Sequence, residues 1–354
     1  MKKLHITFLL LSLLLFAACS SGNQTNNATP TVQPVNGFGT GLNHTHSMVI
    51  LPDANQTIVL ASHYGIFRSQ DHGATWQETA AGPHQLMQGL MTWWLSYNPL
   101  NPQRLYVLTL PAVASHAGVL GLYTSGDGGK TWQMSIDYNS LPTGAVYLAH
   151  AGNDSPDEVY IYQSGLGANG LKVSMDNGVH FAQAGSALPF GSLLGMLPLP
   201  NKPGHMLVFG NEGAALTSDS GKHWQVIKSL QDSIFEITTP GANQPIYARG
   251  AAGIYVSHDN GQSFTTVTQS TYASLTVSPQ QPAIIYGKTA LNIYRSSDGG
   301  KTWSQLPNIK GNLEILIADP NSSAQLYLAL SYPTEAYHFT NNAWKSLTPP
   351  IPAT

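Results

Sequence analysis

The sequence predicts an all-β fold, a seven-bladed β-propeller of four-stranded antiparallel blades. Two periodic signals and the composition carry that prediction. An octet of the form Ser/Thr-x-Asp-x-Gly-x-x-Trp/Phe occurs six times, at Ser69–Trp76, Ser125–Trp132, Ser174–Phe181, Thr217–Trp224, Ser257–Phe264 and Ser296–Trp303. Successive octets start 56, 49, 43, 40 and 39 residues apart. A period near 40 with short strand-like runs is the mark of stacked four-stranded units. A second register raises the count to seven. Pro52, Pro99, Pro200, Pro240, Pro279 and Pro320 each precede a pair of apolar or aromatic residues by six and seven positions, and Asn153 takes the proline's place in the third unit. The seventh unit starts near Asn312, and its octet has decayed to Thr340–Trp344. Composition agrees: 34 Gly and 23 Pro among 354 residues favour turns over long helices.

The elements follow in chain order. Met1-Lys2-Lys3 and the apolar run Ile6–Ala18 form a leader over residues 1–18, too short for an ordinary spanning helix. Cys19 is the only cysteine. That count excludes a disulfide framework and a cysteine-based zinc site. Small residues before a lone cysteine resemble a bacterial lipobox, which implies a lipidated Cys19; the alternative is a plain secretory signal. Residues 19–36 are Ser, Asn, Thr, Gln and Pro with little apolar content, which reads as a flexible tether. Residues 37–354 are the propeller. Within each unit the strands A, B, C and D run in order, with the octet at the C–D turn.

The octet has a local logic. Asp71, Asp127, Asp176, Asp219, Asp259 and Asp298 can accept backbone N–H groups of their own turns. The glycine two residues on supplies a positive φ, and the closing aromatic fills the gap between neighbouring sheets. One carboxylate per turn is too few for a calcium loop, so the octets read as structural. They resemble Asp-boxes, also called BNR repeats, found in sialidases, sortilin-type receptors, two-propeller glucanases and assembly factors of the Ycf48 type. The resemblance spans residues 44–348 and implies the propeller fold, while those proteins do different things. The segments His44–His46, Ser62–Arg68 and Gly82–Met87 are also similar to bacterial Asp-box proteins provisionally labelled glycosyl hydrolases.

Topology sorts the remaining candidates. A–B and C–D turns share one rim, so the octets lie on one face, and the working mouth is expected on the other. His44 and His46, an i, i+2 pair at the start of strand A, project to one side. His63 ends strand B of the same blade, and His84 and His116 lie in loops of that rim. Three imidazoles with an open position suit zinc or copper. The alternative is that polar loops collect histidines.

A glycan hydrolase needs two carboxylates at a suitable separation. Glu212, Asp232, Glu236 and Glu314 are the candidates near the mouth. Four arginines in all, three of them near the octet rim, do not supply the carboxylate-binding trio of a sialidase. Tyr64, Tyr332 and Arg249 are the candidate ligand contacts. Only 15 Lys and Arg, and a formal net charge of −3, leave no basic stripe for nucleic acid. The sequence thus reads as a monomeric, extracytoplasmic lipoprotein of the cell membrane. It acts as a binding or assembly module for a glycan or protein partner, with glycoside hydrolysis as the alternative.

Overall fold

The computed structural model describes residues 43–348 apart from 83, 113–115, 143–145 and 333. The leader, Cys19, the tether and the first residues of the propeller lie outside the described residues. Seven four-stranded antiparallel sheets follow one another along the chain. Blade 1 comprises β1 (Thr45–Ile50), β2 (Ile58–Ser62), β3 (Ile66–Ser69) and β4 (Gln77–Ala80). Blade 2 comprises β5 (Leu90–Asn98), β6 (Asn101–Pro111), β7 (Gly121–Ser125) and β8 (Gln133–Asp137). Blade 3 has β9 (Leu148–Ala151), β10 (Val159–Tyr162), β11 (Leu171–Ser174) and β12 (Ala182–Gln183). Blade 4 has β13 (Gly195–Pro198), β14 (Met206–Gly210), β15 (Gly213–Thr217) and β16 (Gln225–Val226). Blade 5 runs through β17 (Ile234–Thr238), β18 (Ile246–Gly250), β19 (Ile254–Ser257) and β20 (Thr265–Thr268). Blade 6 runs through β21 (Ser274–Val277), β22 (Ile285–Lys288), β23 (Ile293–Ser296) and β24 (Ser304–Gln305). Blade 7 closes the ring with β25 (Leu313–Ala318), β26 (Leu326–Leu330), β27 (Glu335–Thr340) and β28 (Ala343–Ser346). The fold is the all-β, seven-bladed propeller that the repeat predicts.

Burial explains the strand compositions. The second strands β2, β14 and β26 are buried along their whole length, and their Ile, Leu, Val, Met and Phe run without the alternation of a one-sided sheet. The fourth strands are the outer edges, and β12, β16 and β24 are two exposed residues each. Such short edges offer little to pair with another chain. The core lies between blades rather than within one. Seven apolar clusters each join one blade to the next, and the last joins Met48, Ile50, Leu60 and Phe67 of blade 1 to Tyr327, Ala329, Ala336 and Leu347 of blade 7.

The octets behave as the turn staples their sequence suggests. In the first, Asp71 accepts the Thr75 N–H at 2.8 Å and the Thr75 hydroxyl at 2.6 Å. Ser69 donates to the carboxylate and accepts the Gly73 N–H, each at 2.8 Å. The opening Ser or Thr is thus the hub of the turn, a role the sequence reading did not assign. Gly73 has φ +85°, and a Cβ there would lie 2.8 Å from Leu347 of the neighbouring blade. Both facts demand glycine.

Candidate functional site

At the mouth opposite the octets, backbone geometry places three histidines together. His63 follows β2 and donates its backbone N–H to the His44 carbonyl at 2.8 Å. Buried Asn43 spans the same corner: its side chain donates to the Tyr64 carbonyl and accepts the Tyr64 N–H, both at 2.9 Å. Buried Thr92 of blade 2 donates to the Ser62 carbonyl at 2.9 Å and accepts the Ser62 N–H at 3.0 Å. From the other side, Thr45 donates its N–H to the Ser331 carbonyl of blade 7 at 3.0 Å. Three blades therefore fix the two segments that bear the histidines.

The imidazoles converge. His44 lies 4.4 Å from His46 and 4.5 Å from His63 between ring centroids. One ligand nitrogen from each falls within 4.8 Å of the others, so the three could hold a metal ion. Nitrogens at ~2.0 Å from an ion in a trigonal plane stand ~3.5 Å apart, so a bound ion would draw the three nitrogens together by up to roughly 1.3 Å. Nε2 of His46 and Nδ1 of His63 are buried and have no hydrogen-bond partner. Burial pushes the pKa of His46 down to about 2 and that of His63 to about 4, with the neighbouring imidazoles adding to burial; burial also lowers that of His44. The Ala112 carbonyl partly opposes the shift at His63 by hydrogen-bonding its imidazole. The trio is neutral at pH 7, the protonation state that metal binding needs.

Aromatic rings enclose the trio. Trp93 packs against His46 at 4.9 Å, Tyr64 against His63 at 4.5 Å, and Tyr332 stands 6.3 Å from His44. Trp93 and Trp94 sit at a register shift in β5, and Trp94 has φ +50°. This bulge sends Trp93 toward blade 1 and Trp94 toward Tyr147, at 6.3 Å. Tyr64 and Tyr332, read from sequence as ligand contacts, thus flank the histidines. His84 is exposed and His116 bonds the Gly118 carbonyl at 2.7 Å through Nδ1; neither joins the trio.

The carboxylates are held apart from this patch and mostly engaged. Glu212 accepts the Gly191 N–H at 3.0 Å. Asp232 accepts the Ala252 N–H at 2.8 Å and the Tyr255 hydroxyl at 2.9 Å. Glu236 accepts Arg249 Nε at 3.1 Å, the Leu275 N–H at 3.0 Å and the Ser274 hydroxyl at 3.3 Å. Arg249 is committed too: it also donates to the Tyr272 carbonyl at 3.3 Å and lies over the Phe235 ring at 5.3 Å. Glu314 accepts no hydrogen bond from a described residue. Its pKa is raised by burial against the pull of Lys288, and burial likewise raises that of Glu236 against Arg249. Lys288 is itself buried, donates to the Leu313 carbonyl at 2.9 Å and is lowered by burial. Blades 5 to 7 thus carry a coupled charged cluster that sequence reasoning recognised only as separate residues.

Fold and site together define a BNR/Asp-box-bearing seven-bladed β-propeller with a histidine cluster at its mouth. The BNR/Asp-box repeat model matches residues 294–305. The chain is similar to a probable oligoxyloglucan-reducing end-specific xyloglucanase of Neosartorya fischeri, 26% identical over 233 residues. It is also 27% identical over 212 residues to a xyloglucanase of a Paenibacillus species. These matches cover 63% and 53% of this chain but only 24% and 20% of those relatives. The fold resembles a GH74 enzyme of Niastella koreensis with a TM-score of 0.66 at 14% identity, over 84% of this chain and 52% of that one. It resembles YCF48 bound to D1 peptide with a TM-score of 0.61 at 13% identity, over 85% and 95%. PorZ of Porphyromonas gingivalis, a surface component of the type-IX secretion system, gives 0.56 at 12%, over 88% and 39%.

Proposed function

We propose that this propeller is a glycan-directed module of an extracytoplasmic surface, with the mouth opposite the Asp-boxes as its working face. The observation that carries the reading is that both curated relatives are xyloglucanases. The half-exposed rings of Tyr147, Phe235 and Tyr332 support it, because they offer stacking faces to sugars. Glycoside hydrolysis is the form of this reading that the relatives favour. Glu236 and Glu314 are then the residues to test, since burial raises both as a general acid requires. Xyloglucan oligosaccharides titrated into the purified chain should bind, and Tyr147→Ala with Tyr332→Ala should weaken binding tenfold or more. Full affinity in the double variant would overturn the assigned face. Cleavage, where found, should fall by orders of magnitude in Glu314→Gln and be unchanged in Glu212→Gln.

A second reading is a binding or assembly module organised by a metal centre. It rests on the converging nitrogens of His44, His46 and His63, a set that suits zinc or copper. The partner would then be a protein or glycan docked over the histidines. Both readings include the lipid anchor at Cys19. Cys19→Ala should release the chain from membranes, and an unmodified Cys19 in membrane-bound mature protein would refute the anchor.

A further inference from the structure

We propose that His44, His46 and His63 form a copper site that holds the cuprous ion in preference to zinc. The inference rests on the metal-centre reading and adds the identity and charge of the ion. Three features of the site support it. The group consists of imidazoles alone: no Asp, Glu or Cys among the described residues joins it. No carboxylate or thiolate of a described residue in the group therefore offsets the charge of the ion. The cost of moving an ion into a low-dielectric pocket grows as the square of its charge, so a dication pays about four times what a monocation pays. The pocket is partly shielded from water by Trp93, Tyr64 and Tyr332, so the penalty is not removed by hydration.

Ligand number argues the same way. Structural zinc sites take four protein ligands, and catalytic ones keep water in the fourth position. Three imidazoles satisfy a trigonal cuprous ion without a fourth donor. If the ion is oxidised, the site still favours copper, because cupric copper outranks zinc for a given nitrogen set. The buried, unpartnered Nε2 of His46 and Nδ1 of His63 are the second observation pointing to a ligand. Leaving two such atoms without a partner is costly unless something occupies the space between them. The hydrogen bonds from Thr92 of blade 2 and Ser331 of blade 7 fix the backbone that carries the histidines before any ion arrives, so that side-chain movement alone closes the trio.

The test uses the purified full chain. Anaerobic titration of copper(I) against bicinchoninate, and of zinc(II) against a chromophoric chelator, should give one copper(I) per chain held at least 100-fold more tightly than zinc. His46→Gln and His63→Gln should each weaken copper(I) at least tenfold, and His84→Gln should leave it unchanged. Should those variants fail to fold, X-ray absorption of the copper(I)-loaded wild-type chain decides: three nitrogen ligands are expected. A sulfur ligand, zinc bound as tightly as copper, or copper retained by the folded histidine variants would overturn the proposal. Xyloglucan binding measured on the same preparation separates the outcomes. Binding without copper removes the copper site alone, and copper without glycan binding removes the glycan reading.

Discussion

Glu78 on β4 shows how one residue can set a pH response. Its carboxylate is partly buried beside Gly65 and Gly82, and its Oε1 has no hydrogen-bond partner. Burial pushes its pKa from 4.5 up to about 7. Between those two values the folded chain keeps a proton that the unfolded chain has released. Stability contributed here is therefore present below about pH 4.5 and lost as pH rises to about 7. Glu78→Gln should raise Tm at pH 8 and leave it nearly unchanged at pH 4; a lower Tm at pH 8 would mean that the ionised carboxylate has a stabilising partner. His46 and His63 work in the opposite direction. Their pKa values lie below the ordinary 6.5, so the unfolded chain binds protons that the folded chain refuses. Stability is full above about pH 6.5 and declines as pH falls, toward about 4 for His63 and on toward about 2 for His46. Replacing both with asparagine should flatten that decline in a thermal-denaturation series.

Among the elements, the Asp-box turn makes the most specific predictions. Its carboxylate needs a side-chain donor four residues on. Thr75, Thr131, Ser263 and Thr302 provide a hydroxyl, whereas His180 and His223 provide Nδ1 at 2.7 and 2.6 Å. These two histidines are turn donors, which explains why they stand where other octets carry Thr or Ser. His223→Thr should keep Tm, and His223→Val should lower it. Asp127→Ala removes acceptors for the Lys130 and Thr131 N–H groups and should cost about 1–2 kcal/mol in urea denaturation. Hydrogen bonds from each turn hold Asp71, Asp176 and Asp219 down at about 2. That contribution is present above about pH 4 and is lost as pH falls toward 2, so unfolding in that interval should be steeper than in an octet-deleted variant.

At the scale of the whole molecule, the described strands of blades 7 and 1 meet at the ring closure without exchanging a strand. Each sheet is built from four consecutive strands, so blade 7 meets blade 1 through side chains and a few hydrogen bonds. The contact repeats one used elsewhere. Trp76 donates Nε1–H to the Leu347 carbonyl of blade 7 at 2.7 Å, as Trp132 donates to Thr79 of blade 1 at 3.3 Å and Trp344 to the Pro307 carbonyl of blade 6 at 2.8 Å. Gln56 adds a buried bond to Asp319 of blade 7 at 2.9 Å. Trp76→Phe keeps most of the packing volume and removes the donor. It should cost about 1 kcal/mol and speed proteolysis at the blade 7–blade 1 junction. Equal protease resistance in the variant would show that apolar packing alone closes the ring.

The architecture is legible in the chain alone, because the octet and the proline register are local signals. A turn's chemistry lies within eight residues, and its recurrence counts the blades wherever they end up in space. The sequence also placed His44, His46 and His63 on one rim, since strand order and i, i+2 spacing need no tertiary contact. Tertiary structure decided what those residues meet. The latch of Asn43 and the bond from Thr92 join segments 21 and 30 residues apart. The bulge that turns Trp93 onto His46 has no Gly, Pro, Asn or Asp to announce it between Leu90 and Tyr97. Only folding showed that Glu236 and Arg249 bind each other and that His84 and His116 stay outside the trio. Glu236 meets Arg249 across neighbouring strands of blade 5 beside a register shift, and Trp93 meets His46 across two blades; no local pattern encodes either the shifted register or the distance between blades.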